Sequence, residues 1–245
     1  MHLQVKKNYV NPTGSSCAII GGMGPLSDAL LVRQIVYRLQ ESNCTSYHID
    51  LLSIPPPRNL SQAVFGGIRY VYELRNFLHS IPHVFLATNT AHVNYQFFHW
   101  LSSSSSPIEN LTKQVTERIA ESLSPSETLI LETITGHKNL LYEKQFTEKN
   151  LHFRILPEDD QTIIQGIIDI AKAGRNNEET SNTLAGYIES CKVDCVLLGC
   201  TELPIALGDE RMEYFRKKGK NIIDTEKEFA DAISRTIIRD LSLIR

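Results

Sequence analysis

Residues 83–92 read HVFLATNTAH, and residues 193–204 read VDCVLLGCTELP. Each opens as an apolar run too short for an independent helix. Each then closes in a small polar turn, after which helical spacing resumes. A short continuous apolar run bounded by turn residues predicts a strand buried on both faces. In parallel sheets the carboxyl ends of such strands face the ligand crevice. The two stretches therefore predict two buried strands that deliver ATNTAH and GCTELP to one functional edge each.

The pattern extends in both directions. CAIIG at 17–21 is a buried strand ending in glycine, and GMGPLSD is the turn that follows it. ALLVRQIVYRLQ at 29–40 carries apolar residues at helical spacing. YHIDLLSI at 47–54 is a second strand, stopped by PPPR at 55–58, and 60–80 contains helical periodicity weakened at Gly66 and Gly67. After HVFLAT at 83–88, NTAHVNYQFFHWL begins another helix. SSSSSP at 102–107 is a polar, low-complexity loop or lobe boundary. Then the pattern restarts, with helix 111–123, strand 127–133, helix 139–150, strand 151–157 and helix 161–174 stopping at Gly174. A polar segment, RNNEETSN, precedes a helix over 183–191. Strand 193–199, a short NIIDT and a closing helix, EKEFADAISRTIIRDLSLI, complete the chain. Strands alternating with helices predict α/β units with parallel sheets, two of them in sequence.

Composition narrows the function classes. The 245 residues suffice for one large domain or two lobes with real cores. Hydrophobic content of 42%, charge of 22% and a net charge of −3 describe an ordinary globular chain with no global attraction to nucleic acid or anionic lipid. No apolar run approaches a bilayer span. MHLQVKKNYVNPTGSS lacks the apolar core of a secretory signal and is expected to be a short polar leader. Five cysteines, an odd count without a CxxC pair, argue against a disulfide framework and a cysteine zinc site. The expected compartment is the cytoplasm, with thiols reduced.

Three strand ends carry chemistry. The glycine-rich turn GGMGPLSD can cradle an anion at a helix N-terminus. It lacks a dinucleotide fingerprint, because Ser27 stands where the third glycine of GxGxxG belongs, and it has no P-loop lysine. In GCTELP, Cys200 ends a buried strand just before a helix, an address expected to favour the thiolate. Cys191 and Cys195 lie in or beside the preceding helix and strand and are expected to be structural. In ATNTAH, Asn89 and Thr90 can grip a carboxylate through side chains and backbone N–H groups. His92 is either an orienting residue behind them or a packing residue. Arg58 after PPP and Lys172 before Gly174 are the visible cationic anchors, the first bidentate and the second a point charge.

Together GGMGP, N-T-A-H near 90 and L-G-C-T-E at 198–202 resemble the cofactor-independent aspartate/glutamate racemase superfamily, over about 17–240. The resemblance implies two pseudo-symmetric α/β lobes with the site in the cleft between them, here 17–106 plus 222–245 and 107–221. It also implies a homodimer that takes a small acidic amino acid and uses neither pyridoxal phosphate nor metal. Inverting a stereocentre needs a base on one face and an acid on the other, and the family uses two cysteines for this. Here Cys200 matches the second, but the first is Thr88. That departure is similar to L-aspartate/glutamate-specific racemases with T-N-T in place of C-N-T. By that likeness Cys200 takes the α-proton, Thr88 protonates the opposite face, and the reverse direction is slow. The implied substrate contacts are Met23, Arg58, Asn89, Thr90, Thr133, Lys172 and Thr201. The family's A-T-x-G-T turn becomes ETITGH, with glycine and threonine transposed and His137 new. Two alternatives stay open: a single-cysteine decarboxylase of substituted malonates, and a catalytically degenerate binder of acidic amino acids.

Overall fold

A computed structural model describes residues 15–22, 24–44, 47–53, 71, 72, 74, 75, 81–102, 108–122 and 127–244. The apolar runs form strands β1 (Ser15–Gly21), β2 (Tyr47–Ser53), β3 (His83–Leu86) and the two-residue β4 (Ile108–Glu109). The second half supplies β5 (Thr128–Leu131), β6 (Phe153–Arg154), β7 (Cys195–Leu198) and β8 (Asn221–Asp224). The helices whose full extent is described begin with α1 (Pro25–Glu41), α2 (Tyr95–Leu101), α3 (Leu111–Ser122), α4 (Ile134–Lys138) and α5 (Glu143–Glu148). They continue with α6 (Glu158–Lys172), α7 (Glu178–Ser190), α8 (Glu202–Leu207), α9 (Asp209–Lys217) and α10 (Thr225–Ile244). A 3-10 helix, Asn89–Asn94, connects β3 to α2.

The strands build two four-stranded parallel sheets, ordered β2-β1-β3-β4 and β6-β5-β7-β8. The two orders are the same topology written twice. In each sheet the chain leaves the first strand of the lobe in one direction and returns on its other side. The switch points therefore fall between β1 and β3 and between β5 and β7, where an open parallel sheet binds its ligands. The α/β class and the two-sheet architecture agree with the expectation from sequence.

Period-2 burial explains why these strands read as continuous apolar runs. Along β1, Cys17 and Ile19 enter a central cluster, while Ala18 and Ile20 enter an outer one. Phe85 and Val84 divide the same way in β3, as do Leu197 and Val196 in β7. The central cluster contains residues of both sheets, among them Phe85, Ile130, Tyr142, Leu197 and Phe229. The two lobes thus share one apolar layer, and their functional edges are held in fixed relation.

One boundary needs correction. The division at 221/222 would give β8 to the first lobe, but Val196–Leu198 pair in register with Ile222–Asp224 of β8. The crossing back comes one element later, where α10 packs against α1 and β1. The expected helix over 60–80 lies largely outside the described residues. Among the described residues no helix is long and apolar enough to cross a membrane.

Candidate active site

The first switch point is built around Asp28, which is buried in the first turn of α1. Its Oδ2 accepts from the Gly22 N–H at 2.7 Å and from the Ser53 hydroxyl at 2.9 Å. Burial raises its carboxyl above the ordinary value. A Cβ on Gly21 would fall 2.3 Å from that carboxylate, and one on Gly24 would fall 2.1 Å from Glu202 Oε1. The glycine-rich turn therefore cradles the protein's own carboxylates. That differs from the expected free anion cradle, because a side chain from α1 reaches back to take the Gly22 N–H.

The second switch point meets the first through Glu202. The Cys200 thiol donates to Glu202 Oε2 at 3.0 Å. The Thr201 hydroxyl lies 3.2 Å from the same oxygen and 3.2 Å from Ser27 Oγ across the lobe boundary. The Ser27 hydroxyl in turn donates to the Gly24 carbonyl at 2.8 Å. Cys200 is 4% exposed, and its thiol is raised well above its ordinary value. Burial is the main cause, and the Glu202 carboxylate adds to it. The charge of Lys172 and the backbone N–H of Glu202 pull the other way and lose. The expectation of a depressed thiol is corrected here. The following helix, Glu202–Leu207, is a short one, and its first residue puts a carboxylate against the sulfur. Cys17 and Cys195 are buried, with thiols pushed up to about 12 and about 11, so neither is poised to react.

Thr88 is buried in extended backbone at the mouth of β3, immediately before the 3-10 helix. Asn89 joins the lobes. Its Nδ2 donates to Thr225 Oγ1 at 2.9 Å, the Thr225 hydroxyl donates to the Leu198 carbonyl at 2.8 Å, and Tyr142 donates to Asn89 Oδ1. The amide oxygen is thus spent on Tyr142 of the second lobe and one amide hydrogen on Thr225, where the chain crosses back. The reading of Asn89 as a side-chain carboxylate grip is narrowed to its remaining amide hydrogen and its backbone N–H. Thr90 Oγ1 meets Thr133 Oγ1 at 3.0 Å, while Thr133 Oγ1 also accepts from the Gly136 N–H as the N-cap of α4. These predicted residues come together at the junction. Lys172 ends α6 half-buried and exerts its charge on Cys200. Met23 and Arg58 lie outside the described residues.

Several residues were not given a part in the site from sequence: Ser27, Asp28, Tyr142, Glu202 and Thr225. Glu202 was in view inside GCTELP, and its spacing of two from Cys200 was the available signal. The others act across sequence separations that no local pattern reveals.

His92 resolves as a packing and orienting residue. Its Nδ1–H donates to the Thr88 carbonyl at 3.0 Å, and its ring lies 5.6 Å from that of Phe229. Burial lowers its pKa from 6.5 to about 4. The unfolded chain therefore takes up the proton first as pH falls. His92 contributes stability that is whole above pH 6.5 and is lost as pH drops toward about 4, roughly 3 kcal/mol in total. Glu226, raised to about 8 by burial, has the opposite sign and loses its contribution as pH rises. Urea denaturation of wild type and His92→Gln at pH 7 and pH 4.5 isolates the histidine. The expected result is a smaller acid loss in the variant, and equal losses would remove this role.

No protein-family model matches the sequence. Solved structures do. An aspartate racemase from Picrophilus torridus aligns over 94% of this chain and 95% of its own, at TM-score 0.70 and 19% identity. A putative Asp/Glu racemase from Yersinia pestis aligns over 91% and 99%, at TM-score 0.71 and 18% identity. The glutamate racemase of Francisella tularensis, solved with D-glutamate, aligns over 93% and 82%, at TM-score 0.62 and 13% identity. The chain shares the fold of these racemases over nearly its whole length.

Proposed function

We propose that the protein interconverts the enantiomers of a small acidic amino acid, aspartate or glutamate, by proton transfer at the α-carbon without a cofactor. The observation that carries this reading is the Cys200–Glu202 pair. It is a buried thiol bonded to a carboxylate at the second switch point, held against the first lobe through Thr201 and Ser27.

The chemistry follows from that pair. A thiol raised by burial and by a neighbouring carboxylate is protonated at rest. To act as a base it must first lose its proton, and Glu202 Oε2 is the acceptor within reach. The thiolate then takes the α-proton, Thr88, entering from the other lobe, supplies a proton to the opposite face, and the threonine alkoxide is reprotonated through solvent as Glu202 gives up the proton it took. An alcohol is a far weaker acid than a thiol, so this return step needs a strongly basic partner such as an α-carbanion. Thr90, Thr133 and Lys172 line the junction as substrate contacts, and Arg58 is the proposed grip on the α-carboxylate. The fold relatives, aspartate and glutamate racemases, support the choice of substrate class.

The test is incubation with L- and D-aspartate and L- and D-glutamate in D2O, without pyridoxal phosphate. Deuterium is expected at the α-carbon of at least one. No exchange and no inversion for any of the four would remove the racemase reading. Because Thr88 leaves a single thiol, CO2 release from aryl- or alkyl-malonates without amino-acid exchange would put the decarboxylase in its place.

A further inference from the structure

The second lobe holds a cluster that the proposed reaction does not use. Glu132 follows β5, His137 lies in α4, and Glu143 opens α5. One ligand atom from each lies within 4.8 Å of the other two. His137 Nδ1 and Glu143 Oε1 stand 3.2 Å apart. Glu132 is 1% exposed, and no hydrogen-bond donor reaches either of its oxygens among the described residues. Glu143 Oε2, on a residue 4% exposed, is also without a donor.

Of the four oxygens of these two buried carboxylates, only Glu143 Oε1 has a hydrogen-bond partner among the described residues, a costly arrangement because desolvation and repulsion add. A cation between them removes both costs. The backbone is shaped to let Glu132 into this position: a Cβ on Gly136 would come within 2.5 Å of Glu132 Oε2. Two carboxylates and one imidazole are the donors that zinc and manganese accept, with zinc–ligand distances of about 2.0–2.2 Å. A tetrahedral ion with such bonds holds its ligand atoms about 3.4 Å apart, a spacing that His137 and Glu143 already approach. With His137 neutral, the ligands carry two negative charges, which a dication balances. His137 is half-exposed and gives the ion a route in.

We propose that Glu132, His137 and Glu143 bind one divalent metal ion of the zinc–manganese class. This departs from the sequence expectation of a protein without metal, and it does not rest on the racemase reading. The ion joins the end of β5 to α4 and α5. Those segments carry Thr133 and Tyr142, which meet Thr90 and Asn89 of the first lobe. The site is therefore structural, a clamp behind the second-lobe wall of the cleft.

The test uses the chelator-stripped protein titrated with Zn2+, Mn2+ and Co2+, read by calorimetry, melting temperature and the visible spectrum of cobalt. Wild type is expected to bind one equivalent of Zn2+ or Mn2+ with a rise in melting temperature. The cobalt spectrum should show ligand-field bands without a thiolate charge-transfer band. Glu132→Gln and His137→Gln should each weaken binding at least about tenfold. His137 is half-exposed, so its variant decides the matter if the Glu132 variant does not fold. No binding to wild type, wild-type affinity in either folded variant, or a thiolate band from cobalt overturns the proposal. None of these readouts requires turnover, so failure here is distinct from failure of the proposed reaction.

Discussion

Cys200→Ala is expected to lower α-proton exchange by about 10³-fold, the scale on which a positioned general base acts, while leaving the fold intact. The sulfur sits at the second switch point, bonded to the Glu202 carboxylate. Cys17 and Cys195 are buried with raised thiols and cannot replace it. Circular dichroism and melting temperature check the fold, and mass spectrometry of substrate in D2O checks the exchange. Retention of exchange within about tenfold of wild type would remove Cys200 from the chemistry.

Glu202→Gln separates the two parts Glu202 can play. Its carboxylate raises the thiol both by charge and by accepting its proton. If Glu202 only perturbs Cys200, the glutamine variant lowers the thiol and exchange speeds up. If Glu202 takes the proton, as proposed, exchange falls even though the thiol has become easier to ionise. Alkylation of Cys200 by iodoacetamide, followed against pH, reports the thiol itself. The expected combination is faster alkylation at neutral pH with slower exchange. Faster alkylation with faster exchange would make Glu202 a bystander.

Particular residues show how far the chain could be read. β1, β3 and β7 were legible because both their faces are buried, so no polar residue interrupts the run. The start of α7 was not. RNNEETSN reads as a polar segment before the helix, yet Asn177 caps the helix by accepting from the Thr180 N–H at 2.9 Å, and Glu178 and Glu179 lie in its first turn. The apolar period marks only the half of the helix that faces the core, and the cap lies outside it. β4 is two residues long and α8 contains a proline, so neither has a pattern of its own. At the site, Cys200, Thr88, Thr90 and Thr133 were visible because each ends a strand or opens a helix. The partners of Thr201 and Asn89 were hidden by distance along the chain. Thr201 meets Ser27 across 174 residues, and Tyr142 meets Asn89 across 53. The same distance hid Asn89's place in the hydrogen bonding between the lobes, which spends most of the side chain once assigned to substrate.

Thr88→Cys is expected to raise inversion about 10²-fold or more relative to α-proton exchange with retention. The expected slow reverse direction cannot be a difference in kcat/KM. Free enantiomers have equal free energy in water, so kcat/KM must be the same in both directions for any racemase. A weak acid–base group on one face can make kcat and KM differ between enantiomers only together, in compensating amounts. Its larger signature lies in isotope exchange. The enantiomer that presents its α-proton to Cys200 can lose it, wait as a carbanion and take a deuteron back on the same face. Inversion additionally requires Thr88 to give up its hydroxyl proton, which is the slow step. A thiol at position 88 removes that step, because a thiol is a far stronger acid than an alcohol. Wild type should therefore show deuterated substrate of unchanged handedness accumulating ahead of the product enantiomer, and Thr88→Cys should bring the two nearly level. The measurement is chiral chromatography coupled to mass spectrometry at early times, with each enantiomer as starting material. An unchanged ratio of inversion to retained exchange would show that the second proton comes from elsewhere, and position 88 would keep only the role of ending β3.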